Sequence, residues 1–165
     1  MKMSSKEKGI DMYYLAQVNV GRIRAPLDDP MMADYIALRP IIDALARRSP
    51  GFIWRRNGAG SKAKETDLYD DQMIIANISV WATLEDYYNF VYKSQHLEVL
   101  NRRSEWFQPF EGPFHAMWWV PQGHLPTAEE ARERLEYLRS YGETPYAFSF
   151  AKTFSAPAEG LCHML

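Results

Sequence analysis

The sequence predicts an α+β fold, a split β-α-β sandwich built on one four-stranded sheet, and three observations carry the prediction. The order of hydrophobic periodicities is strand, helix, strand, strand, helix, strand, followed by one more helix. Two strands alternate: Tyr13 to Ile23 sets Ala16, Val18 and Val20 against a row with polar amides, and Met73 to Trp81 sets a purely apolar row against a mixed one. The chain has 165 residues, enough for one sizeable core and cramped for two.

Residues 1–12 read as a mobile leader, 13–150 as the single domain and 151–165 as a C-terminal tail. In the first strand Ala16, Val18 and Val20 share a face, while Leu15, Gln17 and Asn19 share the other, where the amides need partners or a wet cavity. Asp29 is placed as an N-cap with Pro30 as the first helical residue. Met31, Tyr35, Leu38, Ile42 and Leu45 then recur at helical spacing, and Pro40 should kink or divide that helix. Phe52 to Arg56 is a short second strand. The polar connection from Asn57 through Asp71 is long enough to be mobile or functional.

The third strand carries Ile74, Ala76, Ile78 and Val80 on one face and Ile75, Asn77, Ser79 and Trp81 on the other. Thr83 with Asp86 approximates a capping box for a helix whose buried stripe is Leu84, Tyr87, Tyr88 and Val91. Ser94 marks a break and a restart that runs to Phe107. The fourth strand, Phe114 to Val120, is apolar on both faces apart from His115. Thr127 and Glu130 cap a last helix ended by Gly142, and its narrow stripe of Ala131, Leu135 and Leu138 suggests a place on the outside. Tyr146 to Phe150 is a possible short strand.

Composition excludes several classes. Hydrophobic residues make up 47% and aromatics 14%, which argues against disorder. A net charge of -2 with mixed signs gives no footprint for nucleic acid or anionic membrane. The single cysteine, Cys162, rules out an intrachain disulfide, and a reducing, cytoplasmic setting follows most simply. No signal-peptide core or membrane-length apolar run is present.

The element order is that of the ferredoxin-like unit, in which the first and third strands are central neighbours. Gln17 and Asn19 should therefore share a face with Asn77, Ser79 and Trp81. Because both faces carry apolar side chains, a second copy is expected to cover the dry one, giving a homodimer with sheets packed face to face.

Ser79 to Leu100, S-V-W-A-T-L-E-D-Y-Y-N-F-V-Y-K-S-Q-H-L-E-V-L, resembles the third strand and second helix of antibiotic-biosynthesis-monooxygenase-like proteins. The pieces A-Q-V-N-V, R-A-P-L-D-D-P, S-P-G-F-I-W, R-R-S-E-W-F and W-W-V-P-Q-G-H-L-P-T are more similar to an uncharacterised family related to them, over Tyr14 to Phe150. The resemblance implies a dimeric α+β barrel. The wider superfamily includes cofactor-free oxygenases, haem-degrading oxygenases, haem-dependent dehydratases, isomerases and decarboxylases, and fold alone does not choose among them.

His96 and Arg103 are the catalytic candidates. Seven residues apart, they fall on nearly one helix face about 10 Å apart along the axis, an imidazole to act as base and a guanidinium to hold an anionic oxygen. The plainer reading is a locally bonded histidine and a solvated arginine. Asn19, Asn77, Trp81, Tyr92, Trp106 and Trp118 are the candidates for lining a slot for a flat aromatic ligand, against the plain alternative of core packing. Relative to the haem-degrading relatives, Asn19 matches, Phe90 stands near the tryptophan position, and His96 comes several residues too early. His115, His124 and His163 form no metal motif, and no metal site is expected. Three readings result: a cofactor-free oxygenase-like or isomerase-like enzyme for aromatic or polyketide-like substrates, a non-catalytic ligand-binding or structural barrel, and a haem protein with His96 as axial ligand.

Overall fold

A computed structural model describes residues 12–56, 66 and 68–157. The leader apart from Met12, most of the 57–71 connection, Cys162 and His163 lie outside the described residues. The elements are β1 (Tyr13–Arg22), α1 (Ala33–Arg47), β2 (Phe52–Arg55), β3 (Ile74–Trp81), α2 (Leu84–Lys93), α3 (His96–Asn101), α4 (Arg103–Trp106), β4 (His115–Pro121) and α5 (Ala128–Tyr141), with a 3-10 turn at Pro30–Met32 before α1. The four strands form one antiparallel sheet in the order β2-β3-β1-β4, which is the ferredoxin-like arrangement.

Register decides what each face carries. Gln17 pairs with Ser79 and Met117, and Asn19 with Asn77 and His115. Since side chains alternate across a strand, these residues share one face with Leu15 and Trp81. Helices α1 to α4 cover that face through Ile42, Ala46, Tyr87, Phe90 and Trp106.

The other face is dry, with Ala16, Val18, Ala76, Ile78, Ala116 and Trp118 all buried. It is covered by the chain's own α5, whose Ala131, Leu135 and Leu138 pack on it together with Leu68 and Ala147. Burying each leucine contributes about 1.5–3 kcal/mol. Two expectations change as a result. The last helix lies on the core, its narrow stripe sufficing because the alanines of three strands let it approach. The apolar face that called for a second copy is already occupied, so the expected sheet-to-sheet homodimer loses the surface that motivated it.

Most caps follow the sequence. Asp29 accepts from the Met31 amide at 2.8 Å, Thr83 from that of Asp86 at 3.0 Å and Thr127 from that of Glu130 at 3.1 Å. Gly142 ends α5 with φ 73°. Helix α1 is not divided at Pro40 but continues through it from Ala33 to Arg47. Pro40 is exposed, and lacking an N–H it offers no amide to the Ile36 carbonyl one turn back. Met31 is 55% exposed and Met32 takes the core position instead. Tyr146 to Phe150 forms no strand. A single antiparallel bridge joins Phe148 to Met117 at the β4 edge, with amide-to-carbonyl distances of 2.7 and 2.9 Å.

Candidate functional site

Between the mixed sheet face and α1 to α4 lies a cavity of about 490 Å³. Its floor is a chain of hydrogen-bonded polar side chains. Arg55 Nη2 donates to Asn77 Oδ1 at 2.7 Å, Asn77 Nδ2 reaches Asn19 Oδ1 at 3.4 Å, and Asn19 Nδ2 donates to Gln17 Oε1 at 3.1 Å. Gln17 Nε2 donates to Ser79 Oγ at 2.7 Å, which also accepts from the Trp81 indole at 3.0 Å. The amides that looked costly in the sequence satisfy one another.

The chain ends on a buried pair. Tyr87 OH lies 3.1 Å from Gln17 Oε1 and 2.9 Å from His115 Nε2. An amide oxygen has no proton to give, so Tyr87 donates to Gln17, and His115 must then donate from Nε2 to the phenol oxygen. This leaves Nδ1 as the basic nitrogen of His115, with no partner among the described residues. Burial, helped by the charge of Arg103, pushes His115 down to about 4, so it is neutral at pH 7. Burial also raises Tyr87 well above the ordinary phenol range. Phe150, from the segment after α5, stacks on both rings with centroids 5.4 and 5.6 Å away.

The opposite wall carries His96 and Arg103. Helix α2 ends at Ser94, whose hydroxyl bonds back to the Phe90 carbonyl and accepts from the His96 amide. His96 Nδ1 lies 3.3 Å from the Val91 carbonyl, which fixes the proton on Nδ1 and leaves Nε2 unprotonated. Burial lowers its pKa, and the nearby Arg55 charge acts the same way. A second break, at Arg102, separates α3 from α4, so His96 and Arg103 are not on one continuous helix.

Arg103 donates from Nη2 to the Val20 carbonyl at 3.0 Å and lies against the rings of Phe107 and Phe114 at 4.7 and 4.5 Å. No carboxylate pairs with it among the described residues. Arg55, by contrast, pairs with Asp43 at 3.2 Å, a carboxylate it shares with Arg47. The two cations thus stand in different places: Arg55 acts on His96, and Arg103 acts on His115.

The cavity brings together His96, Arg103, Asn19, Asn77, Trp81, Tyr92 and Trp106. Trp118 does not belong to it. This tryptophan pairs with Ala16 on the dry face and packs in the core beneath α5. The polar His115 held the clue, because parity along β4 puts Trp119 on its face and Trp118 on the other. Sequence reasoning also missed Tyr87, His115, Arg55 and Phe150 as cavity residues. Tyr87 fits an apolar stripe equally well, and its hydroxyl partners come from strands 70 and 28 residues distant. Among the described residues, no group of three or more His, Cys, Asp or Glu side chains is placed to hold a metal ion, and no helix is long and apolar enough to cross a membrane.

Fold and site define a ferredoxin-like α+β protein with an internal aromatic cavity whose charged lining residues, among those described, are all cationic. The chain belongs to the family described as a domain of unknown function, DUF3291, whose model matches residues 14–163. No curated protein matches it. Among solved structures it is similar to SnoaB, a cofactor-independent oxygenase from Streptomyces nogalater, at 16% identity and TM-score 0.45, covering 69% of this chain and 98% of that one. It is also similar to the NE2512 protein of unknown function from Nitrosomonas europaea, at 12% identity and TM-score 0.44, covering 71% and 96% respectively. At this distance the likeness carries no chemistry, which has to come from the cavity's own side chains.

Proposed function

We propose that this protein is a small-molecule enzyme of the cofactor-free oxygenase or isomerase kind, acting on a flat aromatic or polyketide-like molecule held in the cavity of each chain. The observation that supports this best is that an unprotonated histidine nitrogen and a guanidinium with no carboxylate partner among the described residues line the same cavity, together with aromatic rings, amides and aliphatic side chains. In this reading His96 Nε2 removes a proton from the substrate. Arg103 holds the oxygen on which negative charge develops. Asn19 and Asn77 orient the substrate's polar edge, and Trp81, Tyr92 and Trp106 pack on its ring. His96 suits the base role better than His115, because a base near pKa 4 has little driving force at neutral pH. The carbanion so formed is reprotonated at a second carbon in an isomerase and reacts with dioxygen in an oxygenase.

The test is turnover of a panel of polycyclic phenols and β-dicarbonyl compounds, followed with and without oxygen. His96→Ala should lower kcat by about 10²–10⁴-fold with an unchanged circular dichroism spectrum. Unchanged turnover in that variant removes His96 from the mechanism. Saturable binding with no product under either atmosphere overturns the enzyme reading in favour of a ligand carrier.

A further inference from the structure

We infer that the natural ligand of the cavity is an anion before any chemistry begins, and specifically an aromatic carboxylate whose carboxylate docks on Arg103. The inference rests on the small-molecule reading above and adds the substrate class. Charge balance is the first argument. Among the described residues, the charged side chains lining the cavity are Arg39, Arg55 and Arg103, with no aspartate or glutamate. Both lining histidines have their pKa pushed down, so neither brings a compensating charge of either sign at neutral pH. Arg55 has its counter-ion in Asp43, behind the cavity wall.

Arg103 has no such counter-ion. Burial lowers its pKa, as expected for a guanidinium held away from water without a carboxylate beside it. It is nevertheless fixed in place by the Val20 carbonyl and two phenyl rings. Gly21 shows that the nest is built to measure: a Cβ there would sit 2.4 Å from Phe107 Cδ1 and 3.1 Å from Arg103 Nη2. Nη2 has a second N–H, and Nε and Nη1 have no acceptor among the described residues, so one edge of the guanidinium, the remaining Nη2 N–H with Nε or Nη1, is left for a bidentate partner. A carboxylate is an anion whose two oxygens match that planar fork, and the surrounding rings favour an aromatic body. If the carboxylate is conjugated to the reacting carbon, charge developing there spreads onto oxygens that Arg103 already holds.

The experiment is a titration of the full chain with 2-naphthoate and with 2-naphthamide, its neutral isostere, read by quenching of tryptophan fluorescence, since Trp81 and Trp106 line the cavity. The carboxylate should bind at least about tenfold tighter, as a charge-assisted pair implies. Arg103→Met should abolish that preference while keeping naphthamide affinity, and Arg103→Lys should retain part of it. Equal affinities in the wild-type protein overturn the carboxylate inference and leave the pocket reading standing, without recourse to any variant. A preference that survives in Arg103→Met overturns the assignment to Arg103. No saturable binding of either probe to folded protein overturns both the inference and the reading on which it rests.

Discussion

Gly21→Ala puts the construction of the Arg103 nest to a quantitative test. Gly21 is not among the glycines with positive φ, so alanine meets no backbone penalty there and space alone decides the outcome. The added Cβ would lie 2.4 and 2.6 Å from Phe107 Cδ1 and Cε1, against an ordinary contact of 3.4 Å or more, so the ring has to retreat by about 1 Å. Phe107 is tied by a backbone bridge to Ile23 and packs edge-on to Tyr35 with centroids 5.4 Å apart, so it cannot simply swing into solvent. Overpacking of this kind costs about 1–3 kcal/mol. With a urea slope of roughly 2 kcal/mol/M, the unfolding midpoint should fall by about 1 M. Because Phe107 also supports Arg103, affinity for the anionic probe should fall with it. The decisive control is the same substitution in a Phe107→Ala background, where the clash is gone and the stability cost should vanish. An equal cost of Gly21→Ala in both backgrounds, or no cost in either, would refute the reasoning.

Two further predictions concern the buried pair. His115 is held near pKa 4 in the fold against an ordinary 6.5, so between those values the unfolded chain takes up a proton that the native one refuses. Its contribution is therefore complete above about pH 6.5 and is lost as pH falls toward 4, by at most about 3 kcal/mol. Urea midpoints at pH 7 and pH 4.5 should differ less in His115→Gln than in the wild type, and an identical difference would remove His115 as the cause. Tyr87→Phe strips the donor from Gln17 and the acceptor from His115, and should cost about 1–3 kcal/mol in urea unfolding at pH 7. A cost below about 0.5 kcal/mol would mean that the pair is satisfied by water.

The sequence made the sheet legible because its polar residues mark parity. Gln17 and Asn19 in one strand and Asn77 and Ser79 in another share a face in any register of the right parity, and the register found pairs them one to one. His96 and Arg103 stood out as polar groups in an apolar stretch, and both line the cavity. Trp118 was misplaced because an apolar strand covered on both faces has no alternation to read, and the parity signal of His115 went unused. Arg55 depends on an irregular register between Phe52 and Trp54 that local pattern does not encode. The cover of the dry face was misjudged for a more general reason. A three-residue apolar stripe looks too narrow for a core helix until the alanines opposite it are known, and these come from three separate strands.

The last stretch of the described chain also has a consequence for how the protein is made. Every strand of the sheet is complete by Pro121, yet α5 covers the dry face only from Ala128 onward. The segment that lays Phe150 on Tyr87 and His115, and accepts the Trp119 indole hydrogen bond at the Phe154 carbonyl, comes later still. During synthesis, then, a finished sheet waits with one greasy side bare and the cavity unsealed until about thirty more residues have left the ribosome. The nascent chain passes through an adhesive state in that interval, and a stop codon after β4 would leave it there.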